Sequence, residues 1–201
     1  MIEIDGVLVS KGKAGVYGER VLKGHRVWDP FRSKYAAMHA KGQVVELSSG
    51  MVVLYLGAAN GTTVSHFADY VEYVYAVEFA PLPMQDLLMV SDIRKNIVPI
   101  MADASRPGFY APMVEEVDLI YQDVAQHDQA GIFIKNMVFL KPGGTGILML
   151  KTRSVDVTKT PDDVLVDVVE KISPHVDICS HCWLDPYHRD HAAIICRKSQ
   201  D

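Results

Sequence analysis

The segment Val52–Thr63, which reads VVLYLGAANGTT, constrains the fold more than any other part of the chain. Its apolar run stops at Gly57, and a loop of small residues then leads into the helical pattern TTVSHFADYV. Glycines let the backbone of such a loop approach a ligand, and free N–H groups at a helix start favour a negative group. The segment therefore predicts a strand, a tight turn and a helix that together hold a ligand.

Glu78 indicates what kind of ligand this is. It ends the next apolar run, Tyr73–Val77, and follows Gly57 by about 20 residues, where an acidic side chain can accept hydrogen bonds from ribose hydroxyls. NAD requires the loop G-x-G-x-x-G, and this chain has Ala59 in place of the second glycine. S-adenosylmethionine has no phosphate and fits the loop better. An NAD-dependent oxidoreductase remains an alternative.

From residue 52 onward, apolar strands alternate with helical segments, as in a parallel sheet covered on both faces. The predicted strands are Val52–Leu56, Tyr73–Glu78, Asn96–Met101, Val117–Asp123 and Gly146–Lys151. Predicted helices cover residues 62–71, 82–93, 109–114 and 126–140, and another begins after Thr160 and Pro161. Two β-rich runs, residues 176–184 and 191–197, predict an antiparallel hairpin at the end of the sheet.

Residues 1–27 have a different pattern, in which apolar and polar residues alternate between glycines. This pattern predicts a small β-rich N-terminal domain, followed by a larger domain over residues 28–201. At the start of the larger domain, Asp29 is a candidate N-cap, Pro30 a first helical residue and Gly42 a stop. Lys34 is then expected in the second turn of that helix.

The charge distribution limits the classes of partner. The net charge is −5, although basic residues predominate in the first 50 residues. A protein that holds nucleic acid by itself is usually basic overall, so RNA binding here is expected to need other proteins. No apolar run approaches the ~18 residues of a membrane span, and the N-terminus does not resemble a signal peptide. We therefore expect a soluble, intracellular protein without membrane contact.

Polar residues stand at the carboxyl ends of the predicted strands, where open parallel sheets bind their ligands. They are Gly57, Glu78, Asp103, Asp123 and Lys151. Asp103 is a candidate for binding an adenine amino group, with a turn or cap residue as the alternative. Asp123 and Lys151 end neighbouring apolar strands, so they are expected to pair, either in an active site or as a structural ion pair.

The C-terminal part contains a pair of cysteines followed by a pair of histidines, which invite comparison with a zinc site. Cys179 and Cys182 precede His188 and His191, but five residues separate the pairs where a zinc finger uses about 12. Positions 179 and 182 would also point to opposite faces of a strand. We therefore expect no metal site, and three cysteines do not indicate a disulfide framework.

A series of motifs runs in order through about residues 26–197: RVWDPFRSKYAA, LYLGAANGTTVSH, YAVEFAP, IMADAS, YQDVAQ, LKTRSVDVTKTP and RDHAAII. In order and spacing they resemble the archaeal fibrillarin-like rRNA/tRNA 2′-O-methyltransferases. The resemblance implies an α/β fold of class I S-adenosylmethionine-dependent methyltransferases, which is Rossmann-like with a seven-stranded mixed sheet, and a small N-terminal β appendage. It also implies an archaeal, cytoplasmic enzyme.

The resemblance further implies a set of site residues. The catalytic Lys-Asp-Lys-His set of the family falls on Lys34, Asp123, Lys151 and His191. Its positions for binding S-adenosyl-L-methionine fall on Gly57, Ala58, Thr62, Thr63, Glu78, Phe79, Asp103, Ala104, Asp123 and Gln126. A ribose 2′-hydroxyl is a poor acid and needs a proton acceptor. We assign Lys151 to this role, Asp123 to orienting its amine, and Lys34 and His191 to holding the hydroxyl or an adjacent phosphate.

The implied function is site-specific RNA ribose 2′-O-methylation in rRNA and tRNA processing. In the resembled family, a box C/D guide RNA selects the target RNA within a ribonucleoprotein. That particle also contains a scaffold protein and a kink-turn-binding ribosomal-type protein. A second hypothesis is a non-catalytic RNA-binding assembly subunit with a methyltransferase fold, which the four catalytic matches disfavour.

Overall fold

The computed structural model describes residues 2–12 and 15–200. Met1, Lys13, Ala14 and Asp201, which fall within the two predicted domains, lie outside the described residues. The strands are β1 (Ile2–Ile4), β2 (Val7–Ser10), β3 (Val21–Leu22), β4 (His25–Val27), β5 (Val52–Leu56), β6 (Tyr73–Glu78), β7 (Ile97–Met101), β8 (Val117–Gln122), β9 (Leu140–Lys151), β10 (Asp177–Trp183) and β11 (His191–Arg197). The helices are α1 (Lys34–Ala40), α2 (Thr62–Ala68), α3 (Pro81–Ile93), α4 (Gln129–Asn136), α5 (Thr152–Val155) and α6 (Pro161–Ile172).

A mixed sheet of seven strands, in the order β10-β11-β9-β8-β5-β6-β7, forms the centre of the molecule. Strands β5 to β9 pair in parallel, as their alternation with helices predicts. The C-terminal hairpin is also present, and its second strand β11 lies between β10 and β9, antiparallel to both. The parallel strands therefore share one carboxyl edge, at which the predicted site residues are expected.

The core lies on both faces of this sheet. All five residues of β5 are buried because helices cover the two faces. Val53 and Tyr55 point into the core that contains α1 and α2, whereas Leu54 and Leu56 point into the core that contains α4 and α6. A strand that is buried on both sides must be apolar throughout, which explains the continuous run VVLYL.

The four N-terminal strands form a second sheet in the order β1-β2-β4-β3. Its Arg26 is fully buried and reaches α2, where its guanidinium lies 2.8 Å from Asp69 Oδ2 and donates to Ser65 Oγ at 2.7 Å. The sheet is thus attached to the helix that follows the glycine loop. The domain boundary between residues 27 and 28 stays a prediction.

The first helix begins later than predicted. Asp29 closes a turn in which its carboxylate and carbonyl accept from the N–H groups of Phe31, Arg32 and Ser33. Ser33 is the N-cap, so Lys34 is the first helical residue and does not lie in the second turn. The helix is held at this position because the Ser33 hydroxyl accepts from Trp28 Nε1 at 2.9 Å and from Thr63 Oγ1 at 3.2 Å.

Other predicted bounds differ by a few residues. Helix α4 begins at Gln129 rather than 126 because Asp128 caps it, accepting from the Gly131 N–H at 3.0 Å. Strand β9 begins six residues before the predicted start, at Leu140. Residues 107–113 form two 3₁₀ turns where one short helix was predicted. In the part of the chain that the structure describes, no helix has the length and apolar character needed to cross a membrane.

Candidate active site

Three charged side chains meet at the carboxyl edge of the sheet. Lys34 Nζ lies 3.0 Å from Asp123 Oδ2, and Lys151 Nζ lies 2.9 Å from Asp123 Oδ1. The three side chains are only 15–18% exposed, and Lys151 Nζ also donates to the Asp123 carbonyl at 3.2 Å. One carboxylate therefore holds two amines in fixed positions, and little water screens their charges.

Each residue of this cluster comes from a different element. Lys34 begins α1, Asp123 follows β8, and Lys151 ends β9. Gln129 fixes the backbone of Lys151, because its side-chain amide donates to the Lys151 carbonyl and accepts from the Lys151 N–H, each at 3.0 Å. This buried glutamine is not predictable from the sequence, since an amide at the start of a helix carries no local pattern.

His191 lies beside the cluster because β11 pairs with β9 and its register sets His191 opposite Lys151. The ring Nδ1 donates to the Arg189 carbonyl at 2.7 Å, so in the neutral ring Nε2 is an acceptor. Burial lowers the pKa of His191, and the nearby ammonium groups of Lys34 and Lys151 act in the same direction. A neutral imidazole suits the acceptance of a hydrogen bond from a hydroxyl better than the binding of a phosphate.

His188 is a second residue that the sequence analysis did not assign to this site. Its Nε2 donates to the Pro30 carbonyl at 2.9 Å, and its ring centroid lies 6.0 Å from that of His191. Burial lowers the pKa of His188. This hydrogen bond ties the loop before His191 to the turn before Lys34.

A cavity of about 310 Å³ adjoins the cluster, within the usual size range of small-molecule sites. Its lining includes the predicted residues Gly57, Glu78, Phe79, Ala104, Asp123, Gln126 and Lys151. The structure therefore brings together residues from the ends of β5, β6, β8 and β9, with Ala104 following β7.

The glycine loop fits closely under this cavity. Gly57 has φ +81°, and a Cβ atom there would lie 2.6 Å from the Asp123 carbonyl oxygen. Only glycine meets both requirements. The Glu78 carboxylate accepts from the N–H groups of Ala59 and Ala80, each at 2.7 Å, and each of its oxygens keeps a further lone pair for a ligand hydroxyl.

Four predicted cofactor residues are not among those that line the cavity. Ala58 belongs to the loop and is buried, and Thr62 and Thr63 donate to Asn60 Oδ1 and Ser33 Oγ. Asp103 accepts from the Ser105 N–H at 2.8 Å, and this hydrogen bond lowers its pKa. Their roles in binding a cofactor stay predictions.

In the described ranges 2–12 and 15–200, no group of three or more His, Cys, Asp or Glu side chains is arranged to hold a metal ion.

The sheet order, the glycine loop and the cavity at the carboxyl edge define the fold of class I S-adenosylmethionine-dependent methyltransferases, as the sequence predicts. The family model described as fibrillarin matches residues 7–200. The chain therefore belongs to the fibrillarin family.

Relatives and solved structures agree with this assignment. A fibrillarin-like rRNA/tRNA 2′-O-methyltransferase of Methanoculleus marisnigri is 64% identical, and the match covers 98% of each chain. One of Archaeoglobus fulgidus is 47% identical, over 95% of this chain and 93% of that one. A crystal structure of a fibrillarin/Nop5p complex has a TM-score of 0.93 at 45% identity, covering 97% of this chain and 95% of that one. Aeropyrum pernix fibrillarin with natively bound S-adenosyl-L-methionine has a TM-score of 0.82 at 42% identity, covering 92% and 85%.

Proposed function

We propose that this protein is an S-adenosyl-L-methionine-dependent RNA ribose 2′-O-methyltransferase that acts on rRNA and tRNA. The observation that carries the proposal is the Asp123 carboxylate, which holds the amines of Lys34 and Lys151 beside the cofactor cavity. The names of the archaeal relatives, at up to 64% identity in the matches given above, support the same reaction.

The residues of the cavity suit this cofactor. Glu78 offers carboxylate lone pairs to ribose hydroxyls, and the exposed ring of Phe79 offers an apolar face to a base. Gly57 keeps the floor of the cavity free of side-chain atoms. When bound, S-adenosyl-L-methionine supplies an electrophilic methyl group, and the protein has to orient the hydroxyl and remove its proton.

The cluster performs these two tasks. Lys151, as a neutral amine, is the proton acceptor in this proposal, because the single Asp123 carboxylate compensates the charge of only one of the two amines. The Asp123 carboxylate and carbonyl also hold the Lys151 Nζ at one point. Lys34 binds the ribose hydroxyl or the neighbouring phosphate as a cation. His191 Nε2 accepts a hydrogen bond from the hydroxyl when the substrate binds, before the proton passes to Lys151, since the Nδ1 proton is engaged by the Arg189 carbonyl. General base catalysis and alignment of this kind require side chains that are fixed before the substrate arrives.

In this proposal, a ribonucleoprotein selects the RNA nucleotide that is methylated. With a net charge of −5, the chain is expected to bind RNA weakly by itself. A box C/D guide RNA would pair with the target RNA, and a scaffold protein and a kink-turn-binding ribosomal-type protein would position the enzyme. The similar fibrillarin that was crystallised with Nop5p supports the scaffold partner. The particle is proposed to work in the archaeal cytoplasm.

Reconstitution with guide RNA and labelled cofactor tests the proposal. We expect label at the 2′-oxygen of the guide-matched nucleotide and none when the guide is changed. Titration calorimetry with S-adenosyl-L-methionine and with NAD checks the cofactor class. Binding of S-adenosyl-L-methionine without methyl transfer to any guided RNA would instead identify a non-catalytic assembly subunit.

A further inference from the structure

A turn of the N-terminal segment, residues 15–19, lies against the glycine loop. The Tyr17 hydroxyl donates to the carbonyl of Asn60, which belongs to that loop. The Tyr17 ring is half-buried against the core that contains α2. Burial raises the pKa of Tyr17 to about 12, so its hydroxyl stays a donor throughout the working pH range.

The loop needs support at this point because its backbone is strained. Ala59 has φ +48°, a left-handed conformation that residues with a Cβ atom rarely adopt. Glu78 holds its N–H from the cavity side at 2.7 Å. Tyr17, in the N-terminal segment, donates a hydrogen bond to the carbonyl of the next residue, Asn60. Two side chains from outside the loop therefore fix adjacent residues of it.

The turn that carries Tyr17 is itself fixed. Glu19 Oε2 accepts from the N–H groups of Val16 and Tyr17, at 2.8 and 3.1 Å. Glu19 Oε1 lies 2.7 Å from the buried guanidinium of Arg26. Arg26 in turn donates to Ser65 Oγ on α2, the helix that begins directly after the glycine loop. Arg26 thus connects the turn that carries Tyr17 to the helix that follows the loop.

We propose that Tyr17 is a positioning residue for the cofactor site, which keeps the strained glycine loop in the conformation that binds S-adenosyl-L-methionine. The proposal rests on the proposed function, because it assumes that this loop binds that cofactor. The N-terminal segment then contributes to cofactor affinity without contacting the reacting atoms.

Tyr17→Phe removes only the hydroxyl and tests the proposal. Loss of one neutral hydrogen bond changes the equilibrium constant between loop conformations by roughly five- to tenfold, and the apparent Kd rises as the competent fraction falls, by at most the same factor. We expect the Kd for S-adenosyl-L-methionine and its KM to rise by up to this factor, while kcat at saturating cofactor stays unchanged. In the protein without cofactor, we expect faster hydrogen exchange of the amides of residues 57–63.

Tyr75→Phe is the matched control. Its hydroxyl donates to Glu115 at 3.1 Å on an exposed surface, so its loss should change neither the Kd nor the exchange of the loop. A second pair of variants strains the backbone without removing a contact. Gly18 and Gly24 both have positive φ and open space at the Cβ position, and only Gly18 belongs to the turn. Gly18→Ala should weaken cofactor binding, whereas Gly24→Ala should not.

The outcomes separate this inference from the proposed function. If the wild-type protein does not bind S-adenosyl-L-methionine, the proposed function is wrong, and loop exchange in Tyr17→Phe still tests the contact. If the wild-type protein binds and Tyr17→Phe has the same Kd and the same loop exchange, the positioning role is wrong. A fall in kcat and thermal stability with an unchanged KM would also contradict it, because that result indicates a purely structural contact.

Discussion

Replacing Lys151 with methionine is the sharpest test of the proposed chemistry. Methionine keeps most of the side-chain length but removes the amine that lies 2.9 Å from Asp123 Oδ1. The Asp123 carboxylate retains Lys34 at 3.0 Å, so it is not left as an unpaired buried charge. The variant is therefore expected to fold, with a loss of stability below the roughly 3–5 kcal/mol of a fully broken buried pair.

The expected loss of rate is much larger than that of cofactor affinity. A positioned general base contributes about 10²- to 10⁴-fold, or about 3–5 kcal/mol of activation free energy. The cavity keeps its other lining residues, among them Gly57, Glu78 and Gln126. We therefore expect Lys151→Met to bind S-adenosyl-L-methionine within a few-fold of the wild-type Kd while methyl transfer falls by this factor.

Single-turnover transfer of a labelled methyl group to guide-matched RNA measures the rate, and calorimetry measures cofactor binding. Lys141→Met is a matched control, because Lys141 is the second residue of the same strand β9 and its Nζ lies 2.7 Å from Asp118 Oδ1 on β8. Lys141 is 42% exposed and far along the strand from the cluster, so its loss should leave the rate unchanged.

A Lys151→Met rate within about tenfold of the wild type would contradict the assignment, since that is less than a general base contributes. If Lys34→Met instead abolished transfer while Lys151→Met kept it, the proton acceptor would be Lys34. An equal loss in Lys141→Met would show that the strands, rather than the amine, had been perturbed.

Three further predictions concern pH and packing. Burial and the nearby Arg26 lower the pKa of His66 to about 3. The contribution of neutral His66 to the free energy of unfolding should therefore be complete above pH ~6.5 and fall by up to about 1.4 kcal/mol per pH unit between pH 6.5 and pH 3. The unfolding free energy from urea titrations should depend less on pH in His66→Gln than in the wild type, and equally in the exposed variant His175→Gln. The same pH dependence in the wild type and both variants would contradict the reasoning. Because burial lowers the pKa of His191, its acid limb in the pH profile of kcat should lie below pH 6.5 and vanish in His191→Gln, and a persisting limb would belong to another group. Gly57→Ala should cost roughly 2–5 kcal/mol of unfolding free energy by urea titration and slow transfer, since its Cβ would displace the Asp123 carbonyl, and a wild-type stability would refute this clash.

Local pattern located most of the strands correctly. The bounds of β5 and β6 agree with the prediction to the residue, because strands buried on both faces are continuous apolar runs between turn residues. Helix α6 also begins where predicted, since Thr160 accepts from the Asp163 N–H at 3.2 Å and Pro161 follows it. These signals act over a few residues and need no distant partner.

The start of α1 shows where local pattern is insufficient. Asp29 with Pro30 and Ser33 with Lys34 are both acceptable helix starts in sequence. The structure selects the second because Trp28 and Thr63 both donate to the Ser33 hydroxyl. Thr63 is 30 residues away along the chain, so no local window contains this preference.

By itself, the sequence determined the glycine loop, an acid at the distance expected for a ribose-binding residue, the polar ends of the strands and the family. Tertiary structure alone decided how the cluster assembles, since Lys34 and Asp123 are 89 residues apart in the chain.

Tertiary structure also decided the place of His191. Either strand of a hairpin can pair with the edge of a sheet through similar backbone hydrogen bonds. Which strand lies inside the sheet depends on which has the apolar side chains that must be buried. In β11 the five residues after His191 are buried, whereas β10 alternates between exposed and half-buried residues. Strand β11 therefore lies inside the sheet next to β9, and this brings His191 opposite Lys151.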